Sequence, residues 1–196
     1  MRRDFAGLYG ITDPNRGEVI EQGLALIEGG VCALQLRCKG WTEEKIRTAA
    51  MHLQGPCEQA GVPLILNDFP AIAPLGHGVH LGQEDGRFNR STLPDSCIVG
   101  RSVHDLASLQ AAEAEGVDYV GFGPIFESTT KPGARSARGL EALALITAQT
   151  SLPVVAIGGI KAMHLPALKE AGARCWAPMG ALLSCDNLLA ACQRFS

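Results

Sequence analysis

The sequence predicts an α/β chain folded as a single (β/α)8 TIM barrel over residues 1–196. Three observations carry that prediction. First, eight short runs, many rich in Val, Ile and Leu, recur at 8–12, 33–37, 63–67, 78–82, 98–102, 119–123, 153–158 and 173–179. Several lack clean polar–apolar alternation, as strands buried on both faces do. Second, helical patterns lie between most of them, and strands alternating with helices build an all-parallel sheet. Third, several runs end in polar groups suited to phosphate or metal, and such a barrel builds its site from the C-terminal ends of its strands. A doubly wound open sheet would give a similar strand count, but no Gly-rich nucleotide fingerprint follows the first run.

Taken in order, Ala33-Leu34 leads into Gln35-Leu36-Arg37-Cys38-Lys39. The segment 42–60 then reads as a helix. Thr42 is its N-cap, Glu43 and Glu44 occupy the first turn, and Ile46, Ala49, Ala50, Leu53 and Cys57 share one face. Leu64-Ile65-Leu66 leads into Asn67-Asp68, and Gly78-Val79-His80-Leu81-Gly82 into Gln83-Glu84-Asp85. The connection from 82 to 98 has room for one turn of helix at most. Asp105 caps the next clear helix, with Leu106, Leu109 and Ala112 on its apolar face and Gly116 as its stop. In 161–171, Pro166 delays the helix start.

Composition narrows the function. At 46% hydrophobic and 19% charged, the chain is globular rather than disordered. A net charge of −3 offers no basic surplus for nucleic acid or an acidic membrane surface. The cations that matter therefore act locally. Seven cysteines without a Cys-x-x-Cys pair point to reduced thiols in a cytoplasmic protein rather than a disulfide framework or structural zinc. No signal peptide is evident, and no run approaches the ~20 apolar residues that span a bilayer. A homo-oligomer is left open.

The strand ends supply the candidate site. Gln35, Arg37 and Lys39 fall on one face of an extended segment. Two cations there call for an anion, either a phosphate or carboxylates from the barrel. Asn67-Asp68 and Asp85 each read as turns when taken alone. Together, two carboxylates at neighbouring strand ends make a Mg²⁺ site that would share the ion with substrate phosphate. Ser102 reads as a phosphate-binding hydroxyl, since no nucleophile elbow surrounds it. His80 and His104 read as structural residues, hydrogen-bonded near strand ends. The 123–133 loop carries Ser128, Thr129, Thr130 and Lys131, which suit either an anion-binding lid or a solvated loop. Gly158-Gly159 and Gly180 follow the last two runs, where barrels often bind phosphate.

In order and combination, these stretches resemble the thiamine-phosphate synthase and thiazole tautomerase family from end to end. The matching segments are Leu8-Tyr9-Gly10-Ile11-Thr12-Asp13, Gln35-x-Arg37-x-Lys39, Asn67-Asp68, Gly78 to Asp85, Gly121 to Phe126, Thr130-Lys131 and Pro153 to Ile160. The resemblance implies that 4-amino-5-hydroxymethyl-2-methylpyrimidine diphosphate is joined to 4-methyl-5-(2-phosphoethyl)thiazole, giving thiamine phosphate and pyrophosphate. It implies that Arg37, Lys39 and Lys131 carry catalysis and, with Asn67 and Ser102, hold the diphosphate. By the same resemblance Gln35 orients the pyrimidine, and Ser128 and Thr130 face the thiazole. Gly159 and the backbone at Met179-Gly180 take its phosphate, while Asp68 and Asp85 hold Mg²⁺.

Some positions depart from the family pattern. Cys38 stands where relatives often carry a polar residue, and its side chain should point off the ligand face. Met179-Gly180 stands where an aliphatic residue followed by Ser is common. Trp176 and Pro178 make the eighth strand unusual. Gly100-Arg101-Ser102-Val103-His104 is similar to the tautomerase branch, but that branch has a histidine at the position of Pro124 and generally lacks the full basic and carboxylate set. Synthase therefore ranks first and thiazole tautomerase second. A non-catalytic barrel that binds thiamine-related phosphates is the third reading.

Overall fold

The computed structural model describes residues 5–86, 89–127 and 136–195. Eight strands form one closed barrel: β1 (Gly7–Ile11), β2 (Ala33–Leu36), β3 (Leu64–Asn67), β4 (Gly78–Leu81), β5 (Ile98–Val103), β6 (Tyr119–Phe122), β7 (Val154–Ile157) and β8 (Cys175–Ala177). Every strand pairs in parallel with its sequence neighbours, and β8 closes on β1 through Gly7 opposite Cys175. All eight predicted runs are strands.

The connections are helices α1 (Val19–Glu28), α2 (Glu43–Ala60), α3 (Leu106–Ala114), α4 (Gly139–Gln149), α5 (Leu165–Glu170), α6 (Met179–Leu183) and α7 (Leu188–Gln193). Local chemistry sets their ends. Thr42 accepts a hydrogen bond from the Lys45 N–H to start α2, and left-handed Gly61 ends it. Asp105 caps α3 through the Ser108 N–H. No helix among the described residues is long and apolar enough to cross a membrane.

Three details differ from the sequence reading. The described part of the β4–β5 connection holds two short 3₁₀ turns, Gln83–Asp85 and Arg90–Thr92, rather than one turn at most, and the β3–β4 connection is likewise 3₁₀ over Pro70–Leu75. Pro74, inside that turn, removes an N–H that a continuing helix needs. Strand β8 is shorter than 173–179, because Pro178 cannot donate to the ladder and Met179 already opens α6. Strand β2 stops at Leu36, so Arg37 and Lys39 lie just past it, on the rim.

Alternation within strands splits the core in two. The outer cluster packs strands against helices through residues such as Leu34, Leu36, Leu64, Leu66, Val99 and Val120. The inner cluster fills the barrel with Phe5, Tyr9, Ile11, Ala33, Ile65, Ile98, Tyr119, Val155, Cys175 and Ala177. Large rings need small neighbours inside so few strands. A Cβ on Gly100 would fall inside the Tyr119 ring, and one on Gly121 would lie 3.3 Å from His80 Cε1. Trp176 points outward, buried against the helices, with its Nε1–H donating to the Phe195 carbonyl at 2.8 Å. Its bulk therefore stays out of the barrel mouth. Cys38 also faces the outer layer, where burial pushes its thiol up to about 11.

Gly100→Ala tests the interior packing. The added methyl must displace a ring with no spare volume, so unfolding free energy should fall by about 1–3 kcal/mol, read by denaturant titration. Unchanged stability would contradict the packing described.

Candidate active site

Parallel closure brings the ends of β2, β3, β4 and β5 side by side on one rim. Gln35 is 4% exposed and points into the barrel from β2. Arg37, just beyond, is fixed by its backbone. Its N–H donates to Thr12 Oγ1 at 3.0 Å, and that hydroxyl donates to the Arg37 carbonyl at 3.3 Å. The Arg37 guanidinium has no hydrogen-bond or ion-pair partner among the described residues. Lys39 reaches across to β3 and pairs with Asp68 Oδ2, with side chains 55% and 20% exposed. That is the carboxylate partner anticipated as the alternative to phosphate. An ion pair this open to water is weak, so either member can be recruited by a ligand at little cost.

Asp68 has a backbone that its neighbours must hold. It is the single non-glycine residue with positive φ among those described, at 72°. Asp tolerates that region better than most residues, yet still unfavourably. The Asp68 N–H donates to the His80 carbonyl at 3.0 Å, which locks the turn to β4. Strain held by neighbouring structure is a mark of functional sites. Asn67, buried just before it, lies opposite His80 in the β3–β4 register.

Asp85 follows β4 in the 3₁₀ turn Gln83–Asp85, exposed, with Oδ2 accepting from the Gly82 N–H at 2.5 Å. The next residue is tied down from β5. Arg101, 8% exposed, donates to the Gly86 carbonyl and lies 3.5 Å from Glu115 Oε2. Asp68 and Asp85 each keep one carboxylate oxygen without a partner among the described residues. No group of three His, Cys, Asp or Glu side chains that could hold a metal comes together among those residues. A Mg²⁺ ion here would therefore draw two oxygens from protein and the rest from substrate and water, which is the usual arrangement for that ion.

Below the rim lies a buried chain that the sequence did not disclose. Gln35 Nε2 donates to Tyr9 Oη at 3.3 Å, and Tyr9 Oη meets Tyr119 Oη at 2.7 Å. Tyr119 Oη lies 3.0 Å from His80 Nδ1, and His80 Nε2 lies 2.9 Å from Ser102 Oγ. Five residues from five strands are thus linked across the barrel. His80 is hydrogen-bonded as expected, and Ser102 is its partner. Burial lowers the His80 pKa from 6.5 to about 4; Asp68 opposes that shift, while Arg101 and Arg37 reinforce it. Burial likewise raises both tyrosines above their ordinary value. Every member is neutral near pH 7. A sequence signal existed: both tyrosines of the chain fall in apolar strands, where a buried hydroxyl needs a partner. His104 is pinned separately, its Nδ1 lying 2.8 Å from the Gly123 carbonyl.

Across the same rim, the segment after β6 is fastened to β7 by Ile125 N–H to the Ile157 carbonyl at 2.9 Å and Phe126 N–H to the Gly158 carbonyl at 3.1 Å. Gly159 has φ 64°, and a Cβ there would lie 2.5 Å from the Glu127 carbonyl oxygen, so only glycine fits. Met179 and Gly180 form the first turn of α6, whose leading N–H groups lack helical partners. Ser128, Thr130 and Lys131 lie outside the described residues. The structure therefore gathers Gln35, Arg37, Lys39, Asn67, Asp68, Asp85 and Ser102 along four adjacent strands. Gly159, Met179 and Gly180 stand at the ends of β7 and β8.

A family model described as "Thiamine monophosphate synthase" matches residues 8–182. The chain belongs to the thiamine monophosphate synthase family. It is 37% identical to the thiamine-phosphate synthase of Chloroflexus aurantiacus, covering 95% of this chain and 89% of that one. It is 35% identical to that of Methanocella arvoryzae, covering 94% and 90%. Among solved structures, the thiamine phosphate pyrophosphorylase from Pyrococcus furiosus superposes with a TM-score of 0.87 at 27% identity, covering 96% and 93%. The family match spans β1 to α6, and so covers every rim residue named above.

The buried histidine makes stability depend on pH. Between about pH 4 and 6.5 the unfolded chain binds a proton that native His80 refuses. Stability contributed by neutral His80 is full above 6.5 and falls as pH drops through that window. The loss amounts to about 3 kcal/mol. In denaturant titrations across that range, His80→Gln should flatten this part of the slope. An equally steep slope in the variant would assign it to other groups.

Proposed function

We propose that the protein catalyses thiamine-phosphate synthesis. It joins 4-amino-5-hydroxymethyl-2-methylpyrimidine diphosphate to 4-methyl-5-(2-phosphoethyl)thiazole and releases pyrophosphate. The observation that carries this reading is the rim at β2–β5, where the Arg37 and Lys39 cations stand beside Asp68 and Asp85. Membership of a family whose relatives are thiamine-phosphate synthases supports it.

The reaction breaks the bond between the pyrimidine methylene carbon and the diphosphate oxygen, and the electron pair leaves with pyrophosphate. The thiazole nitrogen then donates its lone pair to that carbon. No protein nucleophile or general base is required. Catalysis rests on stabilising the departing charge and holding the acceptor in line. Arg37 and Lys39, joined by Lys131, bind the diphosphate with Asn67 and Ser102, and Gln35 orients the pyrimidine. Arg37 suits this role because Thr12 fixes its backbone while its guanidinium, whose fork matches phosphate, has no partner among the described residues. Ser128 and Thr130 face the thiazole, while Gly159 and the backbone at Met179 and Gly180 take its phosphate. Asp68 and Asp85 would hold Mg²⁺, which when bound neutralises charge on the diphosphate. With Asp68 on the ion, Lys39 would be free to bind the phosphate. Pro124 offers no titratable group where the tautomerase branch has its histidine.

Purified protein given both substrates and Mg²⁺ should form thiamine phosphate, detected by oxidation to fluorescent thiochrome, and EDTA should abolish it. Folded protein that forms none would contradict the assignment. Asp68→Ala and Asp85→Ala should each remove Mg²⁺-dependent turnover with an unchanged circular dichroism spectrum, and full activity in both would refute the metal assignment. Arg37→Ala should lower kcat/KM for the diphosphate substrate about 30-fold, the equivalent of about 2 kcal/mol. Unchanged kinetics would remove Arg37 from the site.

A further inference from the structure

The buried chain from Gln35 to Ser102 can run in either of two directions, because each member carries a fixed number of protons, and the orientation of the Gln35 amide selects the following one. Gln35 donates from Nε2 to Tyr9 Oη. The Tyr9 proton then has Tyr119 Oη as its acceptor. The Tyr119 proton in turn goes to His80 Nδ1. A neutral imidazole that accepts at Nδ1 carries its proton on Nε2, and that N–H donates to Ser102 Oγ. The Ser102 proton is left unused by the chain. Run the other way, Ser102 would donate inward to His80 and present only lone pairs to an anion at the rim.

We propose that Tyr9, Tyr119 and His80 are positioning residues that hold the Ser102 hydroxyl as a hydrogen-bond donor toward the diphosphate. The identity of that ligand rests on the function proposed above; the direction of the chain does not. Gln35 sets the direction. Its Nε2 is turned to Tyr9, which leaves its Oε1 as the acceptor for a donor group on the pyrimidine. The substrate's base end and its leaving-group end are thereby coupled through protein rather than through the ligand alone. Gly100 and Gly121 belong to the same device, since a Cβ at Gly100 would overlap Tyr119 and one at Gly121 would press on the His80 ring at 3.3 Å.

Two measurements test this. ¹⁵N NMR of the full chain labelled in histidine, at about pH 8 to keep the ring neutral, locates the ring proton, and the His80 signals are those missing from His80→Gln. The proposal expects the proton on Nε2. A proton on Nδ1 overturns it, whether or not the protein makes thiamine phosphate. Kinetics supply the second arm. Ser102→Ala and His80→Leu should each lower kcat/KM about 10- to 100-fold, as loss of a hydrogen bond to a charged group does. The double variant should be no worse than the poorer single one. His80→Gln, whose amide Nε2 can donate to Ser102, should stay within about threefold of wild type. Additive losses, or His80→Gln as poor as His80→Leu, would reduce His80 to a packing role. If His80→Leu does not fold, Tyr119→Phe takes its place, since it deprives Nδ1 of its donor and leaves the ring proton unassigned. Wild-type protein that forms no thiamine phosphate would sink the function reading, while the NMR result would still decide the proposal.

Discussion

Every strand in this protein runs the same way, and the last closes on the first. That constraint hands the final residues of eight strands to one rim, whatever their separation in sequence. Arg37, Asp68 and Asp85 follow β2, β3 and β4, and Ser102 lies in β5, yet they stand as neighbours because those four strands do. Closure also leaves no free sheet edge. Shared direction and closure, not any one motif, make the site.

Closure imposes a second condition, because the interior must be filled. Here the filling is partly polar. Two tyrosines, a glutamine, a histidine and a serine satisfy one another in a continuous chain. A polar group left unpaired at that depth would cost about 1–3 kcal/mol. Removing one link therefore strands its neighbours, and the chain acts as a unit. Its upper end, Ser102, belongs to the rim, so core packing and ligand chemistry meet in one residue. Outside the barrel, Trp176 pins the last residues against β8, and Thr12 holds Arg37 by its backbone. Neither need touch a ligand for its loss to be felt.

Much of this was legible in the sequence. Apolar runs and intervening helical patterns located all eight strands, and Thr42 and Asp105 marked their helices because capping is local chemistry. The rim residues were legible because strand ends carry unusual polar types. What escaped were partnerships across the barrel. Period-two alternation says which residues share a face, but not that Tyr9 and Tyr119, 110 residues apart, touch. Nor could it decide whether Lys39 meets a phosphate or the Asp68 carboxylate. Trp176 marked the eighth strand as unusual, and only the fold shows that its ring packs outside the barrel. The β3–β4 connection takes a 3₁₀ turn in place of an α-helix, because Pro74 removes an N–H that a continuing helix needs.

The central claim is that the cations and carboxylates at the β2–β5 rim surround a departing pyrophosphate. A crystal structure with thiamine phosphate, pyrophosphate and Mg²⁺ tests it most directly. The account predicts pyrophosphate against Arg37, Lys39 and Ser102. It also predicts one oxygen each of Asp68 and Asp85 on the metal at about 2.0–2.1 Å, with Lys39 released from Asp68. Pyrophosphate bound away from this rim, or Asp68 still paired to Lys39 with the metal held elsewhere, would contradict it.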